Sequence, residues 1–261
     1  MLKLYHNAIS TCSQKVRLVI AHKGLEFDSQ DVDLFGGGQH EPEYVKLNPN
    51  HVVPTLVHHG EVLVESTLIN EYLEDAYPQV PMMPVDPAIR HSVRMITKRL
   101  DEKVHPVTGI ITFAIGPRSL LLQQPKAARE ANINAIPDPV RRAARRSVIE
   151  HGVKAPEFAN AISVMLAFME TMNESLEEKN WLSGECFGLA DAAVLPYVLR
   201  LDHLAMTPVL EARPHLMAWY QRVQALNCFE TAVTARLAPP LVEMFRENGE
   251  AVWADVEPMT H

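Results

Sequence analysis

Long apolar runs are missing from this chain of 261 residues. No stretch approaches the roughly 18 consecutive apolar residues that a membrane-spanning helix needs, so no membrane partner is expected. Cysteine is scarce. Cys12, Cys186 and Cys228 are odd in number, far apart and without metal-ligand spacing, which fits a reducing compartment and leaves no metal site to expect. Basic residues are outnumbered, 24 Lys and Arg against 32 Asp and Glu, for a formal net charge of −8. Binding to a phosphate backbone usually needs a basic face, so nucleic acid is not an expected partner. The chain lacks internal repeats and low-complexity tracts. Met1 leads directly into an apparent strand, Lys3 to His6, without the basic segment, apolar core and cleavage site of an export signal. A cytoplasmic location is the expectation.

The composition that remains, 47% hydrophobic and 21% charged, is that of an ordinary globular protein. The length suits one large domain or two smaller ones. Strand and helix patterns alternate over the first part. Lys3–His6 reads as a strand, and Cys12–Lys23 as a helix with Val16, Val19 and Ile20 at helical spacing and Gly24 where it should stop. Glu26–Val32 alternates as a strand. The loop Phe35-Gly36-Gly37-Gly38 leads to a short helix near Glu41–Lys46. A loop from Leu47 runs into the strand Thr55-Leu56-Val57, His59-Gly60 turns into the strand Glu61–Val64, and Ser66 opens a helix carrying Leu68, Ile69, Tyr72, Leu73 and Ala76. The order is βαβαββα. Pro78, Pro81, Pro84 and Pro87 then interrupt the chain, as in an interdomain linker. Beyond them the pattern is helical: 89–108, 120–152 broken by Pro125, Pro137 and Pro139, 159–176, 189–201 and 214–225. The expected division is an α/β domain over 1–80, a linker over 81–88 and an all-α domain over 89–261.

Three local features carry chemistry. At Ser10-Thr11-Cys12-Ser13 a strand passes into a helix, the corner where a thioredoxin-type domain keeps a Cys-x-x-Cys pair at the positive helix end. Ser10 and Ser13 hold those two positions, so a dithiol cycle there is excluded. A hydroxyl at this point can donate to a ligand's thiolate and lower its pKa from roughly 8.5. Ser10 or Thr11 can equally serve as a plain helix cap, with Thr11 and Gln14 matching a capping box. Cys12, one step inside the helix, reads as a small buried residue rather than a nucleophile. Val53-Pro54 opens a strand, where a cis proline would turn the preceding backbone outward toward a peptide ligand; an ordinary trans proline is the plainer alternative. Glu65-Ser66 pairs a carboxylate with a helix N-terminus, suited to the ammonium and carboxylate of an α-amino acid, or to nothing more than a capped acidic first turn.

In order and spacing these residues resemble the glutathione transferase superfamily. The matching segments are Leu4-Tyr5, Ser10 through Arg17, Lys23-Gly24, Asn48-Pro49, Val53-Pro54-Thr55-Leu56 and Glu65-Ser66, with Trp181 through Gly184 and Leu189-Ala190-Asp191 in the helical part. The resemblance is to the serine-type (theta, delta and zeta-like) classes. Nearer likenesses are to the bacterial lignin β-etherases and the ganglioside-induced differentiation-associated branch. It implies a thioredoxin-like domain followed by a helical domain, glutathione as co-substrate, a hydrophobic electrophile such as an aromatic ether as second substrate, and a homodimer. Ser10 would activate the thiol, with Ser13 as second choice. Val53, next to cis Pro54, would bond the cysteinyl backbone, and Glu65 and Ser66 would hold the γ-glutamyl end. His51, with Gln39 or His40, would meet the glycyl carboxylate. A non-catalytic binding protein and a glutathione-dependent isomerase are the rival readings. Two departures stand out. Gly188 replaces the usual Ser or Thr ahead of Asp191, losing a capping hydroxyl, and Asn227-Cys228 replaces Arg-Pro.

Three further groupings are ambiguous. Arg141, Arg142, Arg145 and Arg146 share a helix face that either pairs with nearby glutamates or attracts an anionic or phenolic substrate. Val104, Thr108, Ile111 and Phe113 are either an apolar pocket wall or a core stripe. His58 and His59 should diverge at a strand end, against a shared metal.

Overall fold

Alternation in β1 (Leu2–His6) gives the strand two unlike faces, with Leu2 and Leu4 buried on one and Lys3 and Tyr5 half-buried on the other. The computed structural model, which describes residues 1–260, continues this strand into α1 (Thr11–His22), β2 (Phe27–Asp31), α2 (Pro42–Leu47), β3 (Thr55–His58), β4 (Glu61–Leu63) and α3 (Ser66–Ala76). This is the expected βαβαββα order. The sheet runs β2-β1-β3-β4, with β1 parallel to β2 and antiparallel to β3, so that Leu4 lies opposite both Ser29 and Leu56. Val16, Val19 and Ile20 of α1 join Ile69 and Leu73 of α3 in the core with Leu4 and Leu56. On the other side Tyr44 of α2 clusters with Val32, Val53 and Tyr5. Leu68, expected on the core face of α3, is instead 62% exposed.

Residues 77–86 form neither helix nor strand. Their path is set by a buried ion pair: Lys23 Nζ donates to Glu74 Oε2 (2.6 Å) and to the carbonyls of Tyr77 and Val80, while Glu74 accepts from the backbone N–H of Met82 and Met83. The all-α part follows as α4 (Pro87–Arg99), α5 (His105–Ile115), α6 (Arg118–Gln123), α7 (Lys126–Asn134), α8 (Pro139–His151), α9 (Phe158–Ser175), α10 (Leu189–His203), α11 (Thr207–Glu211), α12 (Pro214–Gln224), α13 (Asn227–Ala232) and α14 (Pro239–Val256). The single helix expected over 89–108 is two helices joined by a π-helical turn, Leu100–Val104, in which His105 N–H reaches Leu100 O. Pro106 has no N–H to continue an α-helical ladder, and a wider turn accommodates it. The helices α11, α13 and α14 were not expected from the sequence.

The central helix is α10, buried on every side from Leu189 to Leu201, as an all-round apolar helix must be. It packs against α1, and α13 covers α1 as well. Consequently Ser13 through Ile20 of α1 are all buried, polar residues included, and each buried polar group needs a partner. Arg17 finds four: Ala232 O in α13, His6 Nδ1, Asn7 O and Ala8 O. No helix among the described residues is long and apolar enough to cross a membrane.

Candidate active site

The β1–α1 corner is built by its own hydroxyls. Ser10 is the N-cap of α1, and its Oγ accepts from the backbone N–H of Ser13 at 3.3 Å. Of the two capping candidates, Ser10 rather than Thr11 takes the role, and Gln14 closes no capping box: its Nε2 donates to Ala8 O. A hydroxyl that accepts from the backbone keeps its own proton to donate, and Ser10 is half-buried, within reach of solvent. Ser13 is fully buried and its Oγ accepts from Asn7 N–H at 3.2 Å, holding the corner from beneath. Above it, Arg200 of α10 donates to Ile9 O and to Thr112 Oγ1 of α5, tying the residue before Ser10 to the helical part.

The loop before β3 is fixed by a buried truss. Asn48 Nδ2 donates to Val52 O (2.9 Å) and Thr55 Oγ1 (3.1 Å), and the Tyr44 hydroxyl meets the same two groups. Val53–Pro54 is cis. The N–H and C=O of Val53 have no hydrogen-bond partner among the described residues, so this backbone edge is free for a ligand. Gln39, His40 and His51 come together beside it: Gln39 Nε2 lies 3.0 Å from His40 Nε2, and His40 Nδ1 lies 2.9 Å from His51 Nδ1. Burial, followed by His51, Arg141 and Arg145, holds His40 below its ordinary pKa.

At α3 the plain alternative of a capped, acidic first turn does not hold. The helix has no side-chain cap and no acidic residue in its first turn. Its N-cap, Glu65, sits at φ 67°, ψ 103°, an unfavourable conformation for a residue with a Cβ, and leaves its carboxylate exposed and unpaired among the described residues. Free N–H groups at a helix start together with an open carboxylate form a receptor for an α-amino acid end.

Cys12 is the residue whose surroundings the sequence concealed. Its Sγ lies 3.6 Å from Nδ1 and 3.8 Å from Nε2 of His105, which follows the π turn, and His105 Nδ1 lies 3.1 Å from the Tyr197 hydroxyl of α10. Lys15, bonded to Thr67 and Asp101, stands on the same side. Burial pushes the thiol up, but His105, Lys15 and Ser66 together reverse this and bring Cys12 down to about 6. His105 is raised in turn, chiefly by the Cys12 charge, and remains exposed to solvent. The one local signal of this was a cysteine in the first turn of a helix.

Other expectations divide. Val104, Thr108 and Ile111 are core residues, and Phe113 alone of that group is part-exposed. His58 and His59 do not diverge but lie with ring centroids 4.0 Å apart, and His58 bonds Tyr72 and Tyr77. No group of three or more His, Cys, Asp or Glu among the described residues is placed to hold a metal ion. The four arginines of α8 split into two pairs. Arg142 and Arg146 turn to α7, bonding Asn134 and Glu130. Arg141 and Arg145 turn toward Asn50 and Phe113.

Comparison with known proteins agrees with this architecture. Residues 9–76 match the family model of the glutathione S-transferase N-terminal domain, and residues 139–227 that of the C-terminal domain. Tetrachloro-p-hydroquinone reductive dehalogenase of Sphingobium chlorophenolicum is 30% identical over 240 residues, covering 88% of this chain and 95% of that protein. Protein LigF of Sphingobium sp. strain SYK-6 is 30% identical over 263 residues, covering 95% and 94%. The crystal structure of the β-etherase LigF superposes with a TM-score of 0.79 at 28% identity, covering 88% of this chain and 98% of that one. With a relative at this identity along nearly its whole length, and both family domains in order, the chain belongs to the glutathione S-transferase family.

Proposed function

We propose that this protein is a glutathione transferase that activates the glutathione thiol and uses it to displace a group from a hydrophobic electrophile, an aryl ether among the candidates. The observation that carries the reading is the uncapped start of α3 beside the exposed Glu65 carboxylate, a receptor for a γ-glutamyl end. The free Val53 backbone suits the cysteinyl unit, and Gln39, His40 and His51 suit the glycyl carboxylate. Ser10, at the positive end of α1 with its proton available, donates to the sulfur and stabilises the thiolate. Ser13, fully buried and engaged by Asn7, is the weaker candidate. The thiolate then attacks the electrophile, with positioning and thiol activation as the main rate terms. Relatives matched along most of their length bear the names of a dehalogenase and a β-etherase, which favours catalysis over mere binding and substitution over isomerisation.

Ultraviolet thiolate absorbance of bound glutathione, titrated against pH in wild type and Ser10→Ala, tests this. The expected result is a bound thiol well below its free pKa in wild type, returned toward that value by the substitution. An unshifted bound thiol would overturn the transferase reading, and a shift that survives Ser10→Ala would move the role to another group.

Cys12 supports a second reading. Its lowered thiol suits exchange with a glutathione disulfide, in which the Cys12 thiolate attacks one sulfur, forms a Cys12–glutathione disulfide and expels glutathione thiolate. We also propose a cytoplasmic setting, and a homodimer for which the exposed Val62 of β4, Leu68 of α3, and Ile89 and Met95 of α4 offer apolar surface. The proposed domain limits are 1–80 and 89–261 with the linker 81–88.

A further inference from the structure

Two guanidinium groups at the domain junction have no anion to bind. Arg145 lies 3.1 Å above the centroid of the Phe113 ring and has no hydrogen-bond acceptor or ion-pair partner among the described residues. Arg141, one turn earlier on α8, gives one hydrogen bond to the backbone carbonyl of Asn50 at 3.2 Å. Each guanidinium carries five N–H donors, so nearly all of this donor capacity is unspent. The carboxylate that acts on Arg141 is Asp138, which is already engaged as the cap of α8 by the Arg141 backbone N–H at 2.6 Å. The other charged neighbours are of the same sign or neutral. Burial, then the Arg141 charge, holds Arg145 below its ordinary value, and both arginines bear on His40, itself bonded to His51. In a chain with a net charge of −8, half-buried like charges converging without a counter-ion are suited to an anionic ligand.

The neighbouring pair on the same helix shows the contrast. Arg146 binds Glu130 and Asn134, and Arg142 binds the Asn134 carbonyl. Those two have a structural occupation and their neighbours do not. The location also matters. Arg145 rests on an aromatic ring of α5, in the all-α part, whereas Gln39, His40 and His51 already gather in the α/β part. We propose that Arg141 and Arg145 form an anion subsite for a carboxylate or phenolate carried by the second substrate, with Phe113 as its aromatic wall. This narrows the electrophile to an aromatic compound with an acidic substituent, and it rests on the glutathione-transferase reading above.

The test is equilibrium binding of para-nitrobenzoate and of its neutral analogue para-nitrotoluene to the full chain saturated with S-methylglutathione. Wild type should prefer the benzoate by about tenfold, the scale of a charge-assisted hydrogen bond. Arg145→Gln should abolish that preference, Arg141→Gln should reduce it, and Arg142→Gln should leave it intact. Equal affinity for both probes in wild type overturns the proposal, as does an equal loss in Arg145→Gln and Arg142→Gln. A parallel measurement compares glutathione with its glycyl ethyl ester. If Arg141→Gln and Arg145→Gln weaken glutathione but spare the ester, the arginines serve the glycyl carboxylate and the proposal is wrong. Failure of S-methylglutathione to bind wild type at all would instead remove the underlying transferase reading, and is read first.

Discussion

Cys12 and His105 come from different domains, and the imidazole, exposed to solvent, lies 3.6 Å from the half-buried sulfur. A thiol at the start of a helix, beside an imidazole that gains a proton as the thiol loses one, is held as a thiolate at neutral pH. Cys228 gives an internal contrast, since burial raises its thiol to about 11. Alkylation by iodoacetamide, followed by peptide mass spectrometry, should therefore label Cys12 with a half-maximal rate near pH 6 and leave Cys228 unlabelled below pH 9. His105→Asn should move the Cys12 midpoint toward the ordinary thiol value of roughly 8.5. A wild-type midpoint already at that value would dismiss the pairing. This pair also marks where sequence reading stops at the residue scale. Ser10, Val53-Pro54 and Glu65-Ser66 announce themselves because each depends on a turn of a few residues. The partner of Cys12 lies 93 positions away, and only the packing of the helical part on α1, through α10 and α13, brings it there. The α8 arginines share a face in the sequence, yet their pairing with α7 or with the Asn50 loop is a tertiary choice.

At the scale of elements, the start of α10 shows how a missing cap can be replaced. Gly188 has no hydroxyl, but Ser183 Oγ accepts from Ala190 N–H at 3.0 Å, in the first turn of the helix. Asp191 accepts from the N–H groups of Leu182, Ser183 and Gly188 and from Trp219 Nε1, fastening the preceding loop and α12 to the same point. A Cβ at 188 would lie 2.3 Å from Met82 O and 2.6 Å from Ser183 Cβ, so glycine is required by contact, not tolerated as a defect. Gly188→Ser, which restores the residue usual in resembling sequences, should thus lower stability, by about 1–3 kcal/mol as for other overpacked sites. Urea denaturation decides the sign, and a stabilised variant would show that the capping hydroxyl outweighs the clash. The same dependence on neighbours explains which helices were legible. The βαβαββα run, α9, α10 and α12 carry broad apolar stripes or clear stop signals. In α14 only Phe245, Gly249 and Val256 are buried, too thin a stripe to reveal itself. Its fit depends instead on Gly249, where a Cβ would meet Leu204 O at 2.0 Å.

For the molecule as a whole, acid stability depends on two buried histidines that stay neutral, one of them beside the domain junction. His6 Nδ1 accepts from Arg17, whose guanidinium also reaches Ala232 of α13, and His6 Nε2 donates to Ser29 Oγ at 2.7 Å. Burial, then the Arg17 charge, lowers His6 to about 4. His203, near the end of α10, is lowered to about 3 by burial, then by Arg200 and Arg246. Both values lie below the ordinary histidine pKa of 6.5, so the unfolded chain binds these protons before the folded one does. The stability contributed by their neutrality is complete above about pH 6.5 and declines as pH falls toward the folded values. Between pH 7 and 5 the loss should be about 2 kcal/mol for each histidine. Because His6 and Arg17 bind both halves of the chain, acid should loosen the domain junction together with the fold rather than one domain alone. Urea midpoints followed by Trp fluorescence and by far-ultraviolet circular dichroism should therefore fall together over this range. In His203→Gln, which cannot be protonated, the decline should be shallower by about the share of one histidine. Equal slopes in wild type and variant would show that His203 takes up its proton in the folded state, contrary to its buried position.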